Sequence, residues 1–470
     1  PVRYRLLNEA RHHIFITVPY WFGDTEGRRF LEAVRQKKAA MRAATNRNLD
    51  VRVMVDWTSP GSSGDLLATG MYRDISDVVD GRILQWNRLW GLRPWSANIV
   101  KNRIHDKLFI VDGKKLLMGG MNFADEYLQG GETVKGWHDT DLLIEGPATQ
   151  QATRHFLHPY LLQRYLDDLR NPFPDDEQFQ IKVLQDLFYR DMSRSWFRGG
   201  FFSGLQVPVY FPMENYLSNR GYFPPLPQDP SYTTPVRLIY DNPLVDRKPV
   251  SGARVSKLMS TIEFIMPSVQ SSIRMFVPYL TTTDRMNNIL IGAARRGIKV
   301  QIITNSLKSH DLGDINYKAA MITFARLMSA GIEIYEWQGH EDLKAFQTRH
   351  GCQINGYWPG NTLHTKAMIL DGSVTLLGSH NFNVRSEEMN SEIMAFVRDP
   401  GFSQQMNQIF EYDLDLTGDR ADGAKLIRCG GRDWTGRPPR ALKTQASYVR
   451  SLFEQQGILL QFLDLFHAVM

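Results

Sequence analysis

Apolar, β-branched runs alternate with helical patterns along this chain, and they do so twice. IFITVPY (14–20), VRVMVDW (51–57) and RILQW (82–86) are strand candidates in the first half. IRMFVPY (273–279), IKVQIIT (298–304) and IEIYEW (332–337) are their counterparts in the second. Val18-Pro19-Tyr20 recurs as Val277-Pro278-Tyr279, an offset of 277 − 18 = 259. Strands separated by helical stretches predict α/β units with mixed, mostly parallel sheets flanked by helices. The helix before VRVMVDW is longer than its counterpart by about a turn or more, and the loop before His364 is longer than that before His105.

The polar positions repeat as well. HDKLFIVDGKKLLMGGMN (105–122) and HTKAMILDGSVTLLGSHN (364–381) place His105 and His364, Lys107 and Lys366, Asp112 and Asp371, and Asn122 and Asn381 at the same offset of 259. In a strand, residues i and i+2 share a face, so each His points with its Lys. Asn122 and Asn381 follow glycines that let backbone approach closely. Each half thus offers an imidazole, an ammonium and a carboxamide, a set suited to a phosphate. Facing one another, the two sets form one site. One His attacks phosphorus, the other protonates the leaving alcohol and then deprotonates the acceptor, and the lysines and asparagines stabilise the developing charge. This chemistry needs no metal, and no cofactor is expected. Aligned on Pro147 and Pro400, Asp139 meets Glu392, and a carboxylate on the second ring nitrogen would fix each tautomer. Asp112 and Asp371 open Asp-Gly turns and read as structural. Gly120 stands where the second copy has Ser379, which removes a hydroxyl contact on one side.

The repeat divides the chain into a first half (1–170), an aromatic, Gly- and Pro-rich connecting segment (171–235), a second half (236–422) and a tail (423–470). The connecting segment is either a lid that admits lipid chains or a linker whose aromatics pack under the halves. The apolar end of the tail is either a membrane-surface helix or a segment docked on its own protein. A net charge of +5 and a pI near 9.0 suit an anionic partner, phospholipid or nucleic acid, and equally a soluble basic surface. Cys352 and Cys429 form no zinc pattern and no disulfide framework, so free thiols are the expectation. No apolar run is long enough to span a bilayer. The chain begins at Pro1, so a trimmed or processed product is expected and a missing signal or anchor is uninformative. Trp86, Trp90 and Trp95 surround a stretch with Arg88, Arg93, Lys101 and Arg103 and no acid, which either borders the site mouth or packs as a basic surface loop. His155 and His158 share a helix face but lack a third metal ligand, and His12, His13 and His310 carry no assignment. His380 adjoins Asn381 and falls beside the site.

The doubled H-x-K-x4-D-x6-G-[GS]-x-N pattern resembles the phospholipase D superfamily over most of residues 1–422. RIHDKLFIVDG, GGMNFADEY, WHDTDLLIEGPA, TNSLKSHD and GSHNFNVRSEEMNSE are most similar to bacterial cardiolipin synthases and related phosphatidyltransferases. The resemblance implies two tandem α/β domains packed about a pseudo-twofold axis around one shared active site, for which a monomer suffices. It implies His105 as nucleophile and His364 as general acid/base. It further implies a peripheral, membrane-associated bacterial enzyme that passes a phosphatidyl group to an alcohol or to water. A metal-independent nuclease and a non-catalytic lipid-binding member are the alternatives.

Overall fold

The computed structural model describes residues 2–56, 70–86, 103–128, 136–167, 235–241, 256–311, 314–337, 352–354, 362–414, 427–429, 432–433 and 441–444. The first half supplies strands β1 (His13–Val18), β2 (Asp50–Asp56), β3 (Ile83–Trp86), β4 (Arg103–Ile104), β5 (Leu108–Val111), β6 (Lys115–Gly119), β7 (Trp137–His138) and β8 (Asp141–Glu145). The second supplies β9 (Val236–Asp241), β10 (Ser272–Phe276), β11 (Lys299–Asn305), β12 (Glu333–Trp337), β13 (Cys352–Ile354), β14 (Thr362–Leu363), β15 (Ala367–Leu370), β16 (Val374–Gly378) and β17 (Asn390–Val397). β18 (Ile427–Cys429), β19 (Arg432–Asp433) and β20 (Ala441–Lys443) follow. The helices are α1 (Val2–Glu9), α2 (Thr25–Thr45), α3 (Gly70–Val78), α4 (Asp125–Leu128), α5 (Ala148–Asp167), α6 (Lys257–Ile265), α7 (Asp284–Arg295), α8 (Asp314–Ser329), α9 (Val384–Glu388) and α10 (Pro400–Leu414).

The main sheets repeat one strand order, β3-β2-β1-β5-β6-β8 and β12-β11-β10-β15-β16-β17. Their central ladders share a register at the sequence offset. Thr17 faces Leu108 as Phe276 faces Ala367, and Leu108 faces Met118 as Ala367 faces Leu377. Both sheets are mixed, as expected, but they are not mostly parallel. Parallel pairing joins only β1, β2 and β3, and likewise β10, β11 and β12, within the main order of each sheet. The remaining neighbours in that order are antiparallel, because the Asp-Gly turns fold β5 onto β6 and β15 onto β16 as hairpins. The change of length in the helix after the first strand is real: α2 has 21 residues and α7 has 12.

Burial on both faces explains the near-continuous apolar strands. Along β1, Ile14, Ile16 and Val18 face α1, α2 and α3 together with Leu6, Phe30 and Val53. Phe15 points the other way, into a core with Met54, Ile110 and Phe156 that also contains Leu238, Ile393, Ala395 and Val397 of the second half. The inner core is therefore common to both halves. Two two-residue strands stitch the halves together. β4 pairs in parallel with β17, and β14 pairs in parallel with β7, each lying just ahead of a motif histidine.

Asp112 and Asp371 occupy left-handed backbone (φ 53° and 50°), followed by Gly113 and Gly372 (φ 62° and 63°), the positive φ at both central positions that a type I′ turn demands; three residues, 112–114 and 371–373, separate the paired strand ends. The Asp112 carboxylate accepts from the backbone N–H groups of Arg11, His12 and His13 at 2.8–2.9 Å. Asp371 accepts in the same way from Gln270, Ser271 and Ser272 at 2.7–3.0 Å. Each aspartate thus ties its hairpin to the start of the neighbouring strand and lies at the far end of that strand from the histidine. Partial burial pushes the Asp371 carboxyl up, but its three backbone donors outweigh this and lower its pKa. Asp371→Ala should therefore destabilise the fold by about 1–3 kcal/mol near neutral pH. A carboxyl lowered by folding stabilises above its unfolded value, near 4, and loses that contribution as pH falls through the folded value. The gap in denaturant midpoint between wild type and variant should close in acid, and a gap that persists there would refute this role.

Candidate active site

The histidines follow the two stitching strands directly. The His105 backbone N–H donates to the Ser391 carbonyl at 3.0 Å, and that of His364 donates to the His138 carbonyl at 2.7 Å. Each accepting carbonyl belongs to the residue before an acid of the opposite half. The side chains follow the same exchange: His105 Nδ1 lies 3.0 Å from Glu392 Oε2, and His364 Nδ1 lies 2.6 Å from Asp139 Oδ2. Asp139 and Glu392 are equivalent through the ladder, where Gly119 faces Asp141 as Gly378 faces Met394.

Lys107 Nζ donates to the His105 carbonyl at 2.8 Å, and Lys366 Nζ donates to that of His364. Asn122 Nδ2 donates to the Tyr127 hydroxyl at 3.2 Å, and the Asn381 backbone N–H to Ser386 Oγ at 3.1 Å. The buried Oδ1 atoms of Asn122 and Asn381 have no hydrogen-bond partner among the described residues. The charges of Lys366, Lys107 and His105 all reach His364, so the two sets converge.

Burial dominates the electrostatics. It pulls Lys107 down to about 8, opposed by Glu392 and Asp139. It pulls Lys366 down to about 7, opposed by Asp139 and reinforced by Lys107. Both histidines are lowered by burial. Glu392 resists this at His105, whereas at His364 both lysines and His105 add to it. Burial raises the acids too, with unequal results. Glu392 is brought to about 2 by His105. It also accepts from Ser379 Oγ and Ser386 Oγ at 2.6 Å and from Asn390 Nδ2 at 3.2 Å. Asp139 rises to about 6, only partly offset by Lys366, the Thr140 N–H and Lys107.

Gly120 and Ser379 produce part of that inequality. The serine hydroxyl is a donor to Glu392. A Cβ on Gly120 would lie 2.3 Å from Asp139 Oδ1, so glycine here makes room for the carboxylate. The Gly120 position is thus not simply a missing hydroxyl contact, because any side chain there meets Asp139. Gly119 and Gly378 admit backbone in the same sense, with Thr140 O and Ile393 O at 2.4 and 2.2 Å from a built Cβ.

Several residues around the site escaped the motif reading. Asp106, directly after His105, meets His155 Nε2 at 3.0 Å and Ser391 Oγ at 2.5 Å. On the other side Thr365, directly after His364, lies 3.2 Å from His138 Nδ1, and His138 Nε2 lies 2.9 Å from Asp413 Oδ2 on α10. Each side thus carries a His–Asp contact beside its motif histidine, but not at equivalent positions, since His155 lies eight residues past Pro147 and Asp413 thirteen past Pro400. Asp56 accepts from the Arg103 guanidinium at 3.1 Å and the Ile104 N–H at 2.8 Å. Asn305 holds both the N–H and the carbonyl of Leu363 at 2.8 Å. Trp137, Tyr127 and Tyr279 stand edge-on to His364, with ring centroids 4.7, 5.6 and 6.4 Å away. The available signal was adjacency, since Asp106 and Thr365 follow the histidines and His138 and Ser391 precede the acids.

Other expectations fall differently. Arg103 is buried against Asp56 and Trp86 is buried in β3, so neither belongs to an exposed basic loop. Arg88, Trp90, Arg93, Trp95 and Lys101 lie outside the described residues, as do residues 168–234 and most of the tail. His155 Nε2 is hydrogen-bonded to Asp106 rather than being half of a metal pair, and the His158 side chain lies outside the described set. His380 is buried, accepts from the Phe382 N–H at 2.9 Å, and its charge reaches Glu392.

A family model for the cardiolipin synthase, phospholipase D-like domain matches this chain twice, over residues 4–158 and 262–414, together more than half its length. The chain belongs to this phospholipase D-like family. It is a phospholipase D-type enzyme, a phosphatidyltransferase or phosphodiesterase. Among its relatives, cardiolipin synthase C of Escherichia coli strain K12 is 26% identical over 445 residues, 93% of this chain and 86% of that one. Cardiolipin synthase 1 of Staphylococcus aureus strain MRSA252 is 22% identical, and the match spans 87% of this chain and 64% of that relative. A phosphatidylserine synthase structure from Haemophilus influenzae shares the fold over 100% of this chain and 92% of its own, with a TM-score of 0.58 and 17% identity.

Two substitutions test the geometry of this family site. Gly120→Ala should displace Asp139 from His364 and lower kcat by about tenfold or more, an effect of about 1.4 kcal/mol on the barrier. The thermal midpoint should fall as well, since Asp139 is a fully buried counter-charge of the site. Asp413→Asn removes the charge that, against burial, raises the His138 pKa. A histidine raised by folding stabilises below its unfolded value, near 6.5, and loses that contribution as pH rises through the folded value. The variant should therefore lose about 3–5 kcal/mol at pH 6 and less at pH 9, and a pH-independent loss would contradict the charged pair.

Proposed function

We propose that this chain transfers a phosphatidyl group from a phospholipid to an alcohol, through a covalent phospho-histidine on His105. The observation that carries the reading is the reciprocal pairing of the half-buried His105 and the buried His364 with carboxylates from opposite halves, beside two lysines and two asparagines. With Glu392 ionised, His105 donates its Nδ1–H and keeps the Nε2 lone pair for phosphorus. The P–N bond forms as the P–O bond to the leaving alcohol breaks. His364 delivers its Nε2 proton to that oxygen, and the anionic phosphate favours the protonated ring before this step. The acceptor hydroxyl then gives its proton to His364 as its oxygen displaces His105 from phosphorus. Lys107, Lys366, Asn122 and Asn381 hold the phosphoryl oxygens throughout. The Trp137, Tyr127 and Tyr279 rings around His364 keep water away, which favours an alcohol over hydrolysis. Among the described residues no helix is long and apolar enough to cross a membrane. In this reading the enzyme meets its substrate at a lipid surface, and one chain supplies the whole site.

Incubation with phosphatidylglycerol vesicles, phosphatidylethanolamine vesicles and plasmid DNA, followed by mass spectrometry, separates the outcomes. Cardiolipin is expected. Phosphatidic acid alone would make it a hydrolase, and nicked DNA without a lipid product would make it a nuclease. His105→Ala should reduce turnover to background, and His364→Ala should lower kcat by about 10²–10⁴-fold and accumulate phosphate label on His105. Label recovered on His364 in the wild type would reverse the two roles.

The lysines set the alkaline limb. Above the values of about 7 and about 8 held by Lys366 and Lys107 the site loses positive charge, so kcat/KM should fall as pH rises from 7 to 9. A flat profile over that range would argue against cationic lysines as the phosphate ligands.

A further inference from the structure

The chain has two cysteines, Cys352 and Cys429. They lie on β13 and β18, which pair antiparallel in a small sheet of three strands with β19. The register sets Cys352 opposite Cys429, Gln353 opposite Arg428 and Ile354 opposite Ile427. Directly opposed residues of an antiparallel pair share a face, with Cα atoms about 4.5 or about 5.5 Å apart according to the hydrogen-bonding pattern. A disulfide spans Cα separations of about 4.4–6.8 Å, so either pattern accommodates it. A slip of one residue in this register would send the two cysteines to opposite faces. The two cysteines of the chain thus stand at directly opposed backbone positions, a placement that a disulfide can span.

We propose that Cys352 and Cys429 form an intramolecular disulfide that encloses the catalytic part of the second half. The segment between them carries His364, Lys366, Asn381 and Glu392, together with Asp413 of α10. The bond forms by exchange. One cysteine thiolate attacks a disulfide oxidant, and the second thiolate displaces the remaining thiol from the mixed disulfide. The two protons released as the thiols ionise are taken up by the two thiolates that leave, so the oxidant gains the two electrons and departs as two thiols. Such a bond persists only in an oxidising compartment, which places this half of the enzyme outside the reducing cytosol. The link narrows the unfolded ensemble of the second half and anchors the strand region that precedes His364. None of this depends on the proposed reaction.

The full chain is equilibrated with oxidised glutathione, quenched with an alkylating agent and mapped by peptide mass spectrometry. A linked Cys352–Cys429 peptide pair is expected, with an intact mass about 2 Da below that of the reduced protein. Reduction should lower the thermal midpoint, and Cys352→Ser should match the reduced wild type. Two alkylated thiols, or a separate glutathione adduct on each cysteine, would overturn the proposal. Mapping uses the unaltered chain, so its outcome does not depend on how well a variant folds.

Discussion

The site depends on a single exchange: each histidine takes its carboxylate from the opposite half. Two lysines and two histidines are brought together with little access to water, and their mutual repulsion there is barely screened. Glu392 and Asp139 contact the histidines and oppose it most, and they arrive on β17 and beside β7, the strands against which β4 and β14 dock. Either half alone would bury cations without their counter-charge, at a cost of several kcal/mol per ion. Packing of the shared inner core and neutralisation of the site are therefore the same event. The separation of the halves along the chain is no obstacle, because the two-residue strands hold the histidine backbone where the side chains meet.

Near-symmetry in the backbone carries unequal chemistry. Glu392 is surrounded by the Ser379, Ser386 and Asn390 donors and stays ionised, whereas Asp139 has a glycine where the serine would be and sits at about 6. A permanently anionic partner suits a nucleophile that must carry positive charge once phosphorylated. A partner whose own proton is nearly mobile suits a group that gives a proton and takes it back. Aromatic rings stand edge-on to His364, whose side chain is 6% exposed against 16% for His105. The division of labour proposed for the two histidines is thus supported by the unequal shells around them.

Much of this was legible in the sequence because its grammar is local. A near-continuous apolar strand, an Asp-Gly turn and a glycine at a close approach can each be recognised within a few residues, and the repeat doubled every signal. The antiparallel character was harder, since a strand after a long loop can enter a sheet in either direction; here the hairpins at Asp112 and Asp371 decide it. Asp413 and His155 were illegible for a different reason. They reach the site from helices, across a packed core, and no spacing rule links α10 to His138. Arg103 misled because a basic residue next to basic neighbours reads as surface, whereas its partner Asp56 lies on a distant strand.

The offsets show which constraints hold the duplicated frame. From β1 through β5 to β6 the ladder repeats at 259, but Val51 corresponds to Val300 and Asp141 to Met394, offsets of 249 and 253. Length has changed only in connections that leave the central hairpin untouched. A shift of one residue within β5 or β15 would turn every side chain to the other face and pull His105 or His364 away from its partner across the interface. A shorter helix between β10 and β11 changes no facing, because the strand that follows can re-enter in register. The freedom to insert and delete therefore stops where a single residue would separate a histidine from the acid that only the other half can supply.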